Sequence, residues 1–178
     1  MRLKSPGDLK KLKAELCDNG HWNGQTLIIP AGTCGRASGA EDLIRAVREA
    51  LLRGDLAGQI RVRVTGCHGF CEMEPSILVE PEGTFYPRLK VSDVERLIEA
   101  LSQGETVEDL VWADPVTGVR IARQEDVPFF KKQRRTILSR SEQVDPEDID
   151  SYLRNAGYSA FLKALEQGDP TWALNEVK

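Results

Sequence analysis

Cys67 and Cys71 stand four positions apart in TGCHGFCEMEP (65–75), beside Gly66 and Gly69, and they are two of only four cysteines in a chain of 178 residues. A thiolate is a soft donor suited to iron-sulfur clusters and zinc, and a glycine-rich loop lets two such donors reach neighbouring corners of a tetrahedron. Main-chain N–H groups left free in the loop can point at sulfur and stabilise its negative charge. Cys34 lies in a second loop of the same kind, AGTCGRASG (31–39), whereas Cys17 falls outside both and reads as structural. Zinc sites usually pair cysteines two apart and add a second pair or histidines. The histidines here are His21 and His68, the latter between the two loop cysteines, where ring and thiolates point different ways. A thioredoxin-type dithiol needs C-x-x-C, which the chain lacks. Simple burial is a further reading, because a free cysteine often behaves as a small apolar residue. Phe70 either shields a metal from water or plugs the edge of the core. Glu72 and Glu74 have no paired carboxylate for acid/base work and read as solvated loop acids, and Pro75 fixes the entry into the next strand.

These loops need elements to bring them together. TLIIP is a short strand, AGTCGRASG a loop, and AEDLIRAVREALLRG a helix whose Leu43, Ile44, Val47 and Leu51 share one face. QIRVRVTG alternates Ile60, Val62 and Val64 with polar neighbours, the period of a strand with one wet face, and runs directly into the Cys67 loop. SILVEP and TFYPRL then read as a hairpin, followed by the helix VSDVERLIEALSQG with Ser92 and Glu95 spaced as a capping box. A βαβ crossover makes its two strands parallel, so the loops leaving their carboxyl ends share one sheet edge. The expectation is that Cys34, Cys67 and Cys71 converge there.

Before this core, SPGDLKKLKAEL predicts a helix with Ser5 as N-cap and Pro6 at its first position. After it, turn formers in WADPVTGVRIARQEDVP suggest a linker with one short strand at VRIA, and then three short helices at PFFKKQRRTILS, at DPEDIDSYLRNAG with Asp145 as cap, and at YSAFLKALEQG. The division expected is an α/β domain over 1–112, a linker over 113–127 and a helical portion over 128–178. KKQRR (131–135) reads as the solvated face of its helix, or else a contact for phosphates or an acidic partner. Trp22, Trp112 and Trp172 are scattered and read as packing anchors or as contacts for a larger body.

Composition limits the function classes. A hydrophobic fraction of 40% supports a packed core, and 24 basic against 28 acidic residues, net charge −4, give no general field for nucleic acid. No apolar run approaches the roughly 20 residues that span a bilayer, and the first residues, MRLKSPGDLKKLKAEL, lack a signal peptide's apolar stretch. A cytoplasmic location without membrane insertion is expected, where structural disulfides are rare.

GTCGRASGA (32–40), TGCHGFCEMEP (65–75) and the hairpin followed by VSDVERLIEAL together resemble the thioredoxin-like 2Fe-2S ferredoxin domain at the N-terminus of NADH-dehydrogenase-type flavoprotein subunits, which are relatives of respiratory complex I. The tail PFFKKQRRTILSRSEQVDPEDIDSYLRNAGYSAFLKAL is similar to the start of the flavoprotein domain proper. The resemblance implies a thioredoxin-like α/β fold and a 2Fe-2S cluster, with Cys67 and Cys71 matching the second pair of its four ligands. It also implies an electron-transfer role in an NAD(P)H-dependent oxidoreductase whose FMN, NAD(P)H and 4Fe-4S sites lie further along the chain, and the other subunits of a redox complex as partners. On that reading the sequence ends before the glycine-rich loop for FMN and NADH, as a piece of a longer subunit. The first loop departs from the pattern: it holds only Cys34, with Pro30 and Ala31 about where another cysteine is expected. The metal ligands expected are therefore Cys34, Cys67 and Cys71, with a fourth from Cys17, His21, His68 or an outside group. The alternatives are a cluster-free thioredoxin-like adaptor that docks partner subunits, and a zinc-stabilised module.

Overall fold

The computed structural model describes residues 3–18 and 22–178 and divides into two compact units, Gly24–Asp145 and Met1–Asn23 with Pro146–Lys178. In the larger unit, β1 (Gln25–Pro30), α2 (Thr33–Ala37), α3 (Ala40–Arg53) and β2 (Ile60–Thr65) form the expected βαβ crossover, with β1 and β2 parallel in the register Pro30 to Thr65. β3 (Ile77–Glu80) and β4 (Thr84–Tyr86) form the hairpin, and α4 (Val94–Ser102) completes the βαβ-ββα order. The sheet order is β2-β1-β3-β4, with β3 antiparallel to both β1 and β4. The fold class is thus the α/β class expected.

β1 is central and buried on both faces, which explains its nearly unbroken apolar run. The two-residue period of the strands turns Leu27, Ile29, Ile77, Val79 and Tyr86 toward Leu43, Val47, Leu97 and Leu101 of α3 and α4. Burying each such side chain contributes roughly 1.5–3 kcal/mol. Phe85 instead joins Trp112, Val127 and Phe130 in a second apolar cluster.

Several local expectations are corrected. The Cys34 segment is not wholly loop, since Thr33–Ala37 turns helical. The Ser92–Glu95 box does not form; Asp93 instead accepts the Lys90 amide at 2.9 Å, and α4 begins at Val94 with no side-chain cap. The 113–127 segment is more than a linker. β5 (Trp112–Ala113) pairs with β6 (Arg120–Ile121), the amide of Phe85 donates to Ala122 at 2.8 Å, and Arg123 bridges Thr84, so this segment covers the free edge of β4. PFFKKQRRTILS keeps only one helical turn, α5 (Pro128–Lys131). Residues 113–145 fall in the same compact unit as the sheet.

The smaller unit unites the two ends of the sequence. α1 (Pro6–Asp18) starts as expected, the hydroxyl of Ser5 accepting the Asp8 amide at 3.2 Å. Its Leu9 packs with Leu153 of α6 (Ile149–Arg154) and Leu162 of α7 (Ser159–Gln167), flanked by Leu12 and Leu16. Lys13 Nζ donates to the Gly157 carbonyl at 2.9 Å, and Arg154 Nε donates to the Leu16 carbonyl at 3.2 Å. The cap of α6 is Asp148 rather than Asp145, accepting the Asp150 amide at 2.9 Å. A further helix, α8 (Pro170–Val177), follows and is capped by Asp169, which accepts the Thr171 amide at 2.8 Å. Among the described residues, no helix is long and apolar enough to cross a membrane.

Candidate metal centre

The loops after β1 and β2 leave the same edge of the sheet and touch. The Ala31 amide donates to the Thr65 carbonyl at 2.9 Å, and a Cβ built on Gly32 would stand 3.2 Å from Cys67 Cβ. Cys67 Sγ and Cys71 Sγ are 3.6 Å apart, Cys71 opening a short 3-10 turn over Cys71–Met73. Hydrogen bonds with the Cys67 thiol and then with the Cys34 thiol push the pKa of Cys71 up to about 12. Cys67 and Cys71 are thus paired through their sulfurs and half-buried, and Cys34, exposed, comes from the facing loop that touches Cys67 at Gly32. Among the described residues, no three His, Cys, Asp or Glu side chains stand as a ready-made metal cage. The pair nevertheless suits one metal. Two sulfurs on one tetrahedral centre, at metal–sulfur bonds of about 2.3 Å, lie about 3.8 Å apart, close to the distance seen.

The second shell is partly built. Gly69 has φ +96°, a conformation open to glycine, and in it the Gly69 amide donates to Cys67 Sγ at 3.2 Å. Such a bond lowers the charge on a thiolate sulfur and so tunes any metal it holds. Phe70 stacks on Phe129 with centroids 3.9 Å apart and meets Phe130 edge-on, so between the cysteines it seats the loop on the second apolar cluster.

His68 is not placed as a ligand. It is 2% exposed, with Nε2 2.8 Å from Thr65 Oγ1 and Nδ1 3.8 Å from Glu142 Oε1. Burial is the main cause that lowers its pKa to about 4, so it is neutral at pH 7. Glu142 is held in turn by an ion pair with Arg135, and its carbonyl accepts Arg63 Nη1 at 3.2 Å. Leu138 closes on Gly69, 3.4 Å from where a Cβ would be. Residues 132–145 therefore form a strap over the cysteine loop, a feature hidden in the sequence because nothing local links Glu142 to His68 across 74 positions. Cys17 is exposed on α1 in the smaller unit, and His21 lies outside the described residues.

Two predictions follow from these contacts. Glu142→Ala leaves Arg135 without its ion-pair partner and frees one side of His68, and should lower the midpoint of urea unfolding by the equivalent of about 1–3 kcal/mol; an unchanged midpoint would remove the strap from the account. Glu74 is not the solvated loop acid its sequence suggests: desolvation raises its pKa to about 7, although its carboxylate accepts the Ser76 amide and hydroxyl, each at 3.1 Å. A raised carboxyl pKa favours folding below about 4.5, and that contribution is lost as pH rises through about 7. His68, with its lowered pKa, has the opposite sign: its contribution is full above 6.5 and lost as pH falls toward about 4. The two slopes oppose each other between 4.5 and 6.5. Glu74→Gln, measured by chemical denaturation of the metal-free protein, should therefore match the parent near pH 4 and exceed it at pH 8, by less than about 3 kcal/mol after solvent screening.

No protein-family model matches the chain. It is 34% identical to a 2Fe-2S ferredoxin of Clostridium pasteurianum over 70 residues, which are 39% of this chain and 69% of that relative. It is 33% identical to a 2Fe-2S ferredoxin of Aquifex aeolicus (strain VF5) over 84 residues, 46% of this chain and 75% of the relative. Among solved structures it is similar to the wild-type thioredoxin-like 2Fe-2S ferredoxin from Aquifex aeolicus, with 24% identity and a TM-score of 0.48 over 52% of this chain and 100% of that one. With two relatives above 30% identity matched over more than two thirds of their length, the chain belongs to the 2Fe-2S ferredoxin family.

Proposed function

We propose that this chain is an electron-transfer module that holds a 2Fe-2S cluster at the rim formed by the loops after β1 and β2. The observation that carries the proposal is the Cys67–Cys71 sulfur pair at 3.6 Å, set against the loop of Cys34 where Gly32 meets Cys67 and the Ala31 amide bonds the Thr65 carbonyl. Cys67 and Cys71 would hold one iron and Cys34 the other. A bound cluster of this type supplies a one-electron couple. The chain's own part is to orient the sulfurs, to donate the Gly69 amide to Cys67, and to hold Phe70 on the aromatic cluster so that the loop keeps its shape.

The finer assignment is that electrons pass between this module and an FMN served by NAD(P)H, with other subunits of a redox complex as partners. What supports it is the order of the two sequence blocks, cysteine loops first and the PFFKKQRR region after. A second reading, a cluster-free adaptor, is favoured by the single thiol in the first loop, where Pro30 ends β1 and Ala31 follows it into the core. A reductive titration of the anaerobically reconstituted protein separates the two. The proposal expects bleaching of a visible chromophore that is complete at about one electron per chain and reverses on oxidation. Protein that stays colourless after reconstitution would leave the adaptor.

A further inference from the structure

Residues 127–141, VPFFKKQRRTILSRS, carry five basic side chains and no acid in a chain whose net charge is −4. The inner side of this segment is fixed to the cysteine loop through Leu138 at Gly69, and through Arg135 by way of Glu142 to His68. Its outer side exposes Lys131, Lys132, Arg134 and Arg140. Lys131 is partly balanced by Asp126 at 3.8 Å, and the nearby loop acid Glu72 is already bound to Arg88 at 2.9 Å. Between these cations stands Ile137, 94% exposed. A bare branched apolar side chain flanked along the chain by exposed cations has the make-up of an interface anchor with a charged rim. Phosphate backbones would use the cations but have no apolar site for Ile137.

We propose that residues 131–140 are the docking surface for an acidic electron-transfer protein, with Ile137 entering an apolar pocket and Lys132 and Arg134 facing its carboxylates. The inference rests on the electron-transfer reading above. It sets the local charge at the exit for electrons opposite in sign to the charge of the whole chain, and that opposition makes it testable without the physiological partner.

The full chain, reconstituted with its cluster, is mixed by stopped flow with an acidic flavodoxin hydroquinone. In a second arm the reduced chain is mixed with basic ferricytochrome c. In each reaction one electron crosses, from flavin to protein or from protein to haem, and no bond is made. Raising salt from about 20 to about 200 mM should slow the flavodoxin reaction about tenfold and speed the cytochrome c reaction. Lys132→Glu with Arg134→Glu should cancel or invert both dependences. Ile137→Ser should weaken flavodoxin binding several-fold and keep the salt slope. All variants should keep the iron content and visible spectrum of the parent.

Cytochrome c slowing with salt in the parent, as a net charge of −4 alone would give, overturns the proposal. So does tighter binding of single-stranded polyuridylate than of flavodoxin at equal salt. Failure of the cluster reading is seen separately, as a missing chromophore. In that case calorimetric titration of the cluster-free chain with flavodoxin still reads the docking surface, salt-sensitive binding supporting it and no binding opposing it.

Discussion

Cys71→Ser is expected to leave the chain folded but to lower its iron and acid-labile sulfide content at least about tenfold after reconstitution. The serine hydroxyl is a harder donor and ionises far less readily than a thiol, so the 3.6 Å pair that matches one tetrahedral edge is lost. The fold should survive because Cys71 is half-buried and outside the apolar core, whose side chains lie on β1, β3, α3 and α4. Far-ultraviolet circular dichroism checks the fold and metal analysis checks the site. A variant that keeps full iron and sulfide would remove Cys71 from the ligand set.

Gly35→Ala should have the second largest effect, and it acts from the opposite loop. Gly35 is buried in α2 beside Cys34, and a Cβ there would come within 2.6 Å of the Pro30 carbonyl oxygen, a main-chain atom at the end of β1. Neither partner is a flexible side chain, so the helical turn must move off the sheet edge and carry Cys34 away from Cys71. Overpacking of this kind costs about 1–3 kcal/mol. Cluster retention should fall as well, with Cys67 and Cys71 untouched, and Gly35→Ser should behave like the alanine variant. Parent-like stability and iron content in both would show that the first loop does not need this close approach.

Much of the site's frame was legible in the sequence because it depends on local periods. The apolar run of β1, the alternation of β2 and the one-sided helix α3 each declare themselves, and the parallel pairing of strands joined by a crossover then puts the two cysteine loops at one edge. What stayed hidden depends on pairing between distant residues. Arg135 lies in a basic stretch that reads as a helix, yet α5 ends at Lys131 and the chain beyond it brings Glu142 to His68. The burial of His68 could not be read from CHGFC, since it requires Thr65 on one side and the strap on the other. The packing of α1 on α6 and α7 was invisible for the same reason: its leucine stripe says that something covers it, not that the partner lies more than 130 residues away. Gly35 carries no sign beyond its type, because a close approach is a property of the neighbour.

Iron and acid-labile sulfide, measured on anaerobically reconstituted protein, test the central claim most directly. A cluster held by the sulfurs of both loops predicts about two irons and two sulfides per chain, both lost in Cys34→Ser as well as in Cys71→Ser. Less than half an iron per chain, or metal bound without sulfide, would contradict it.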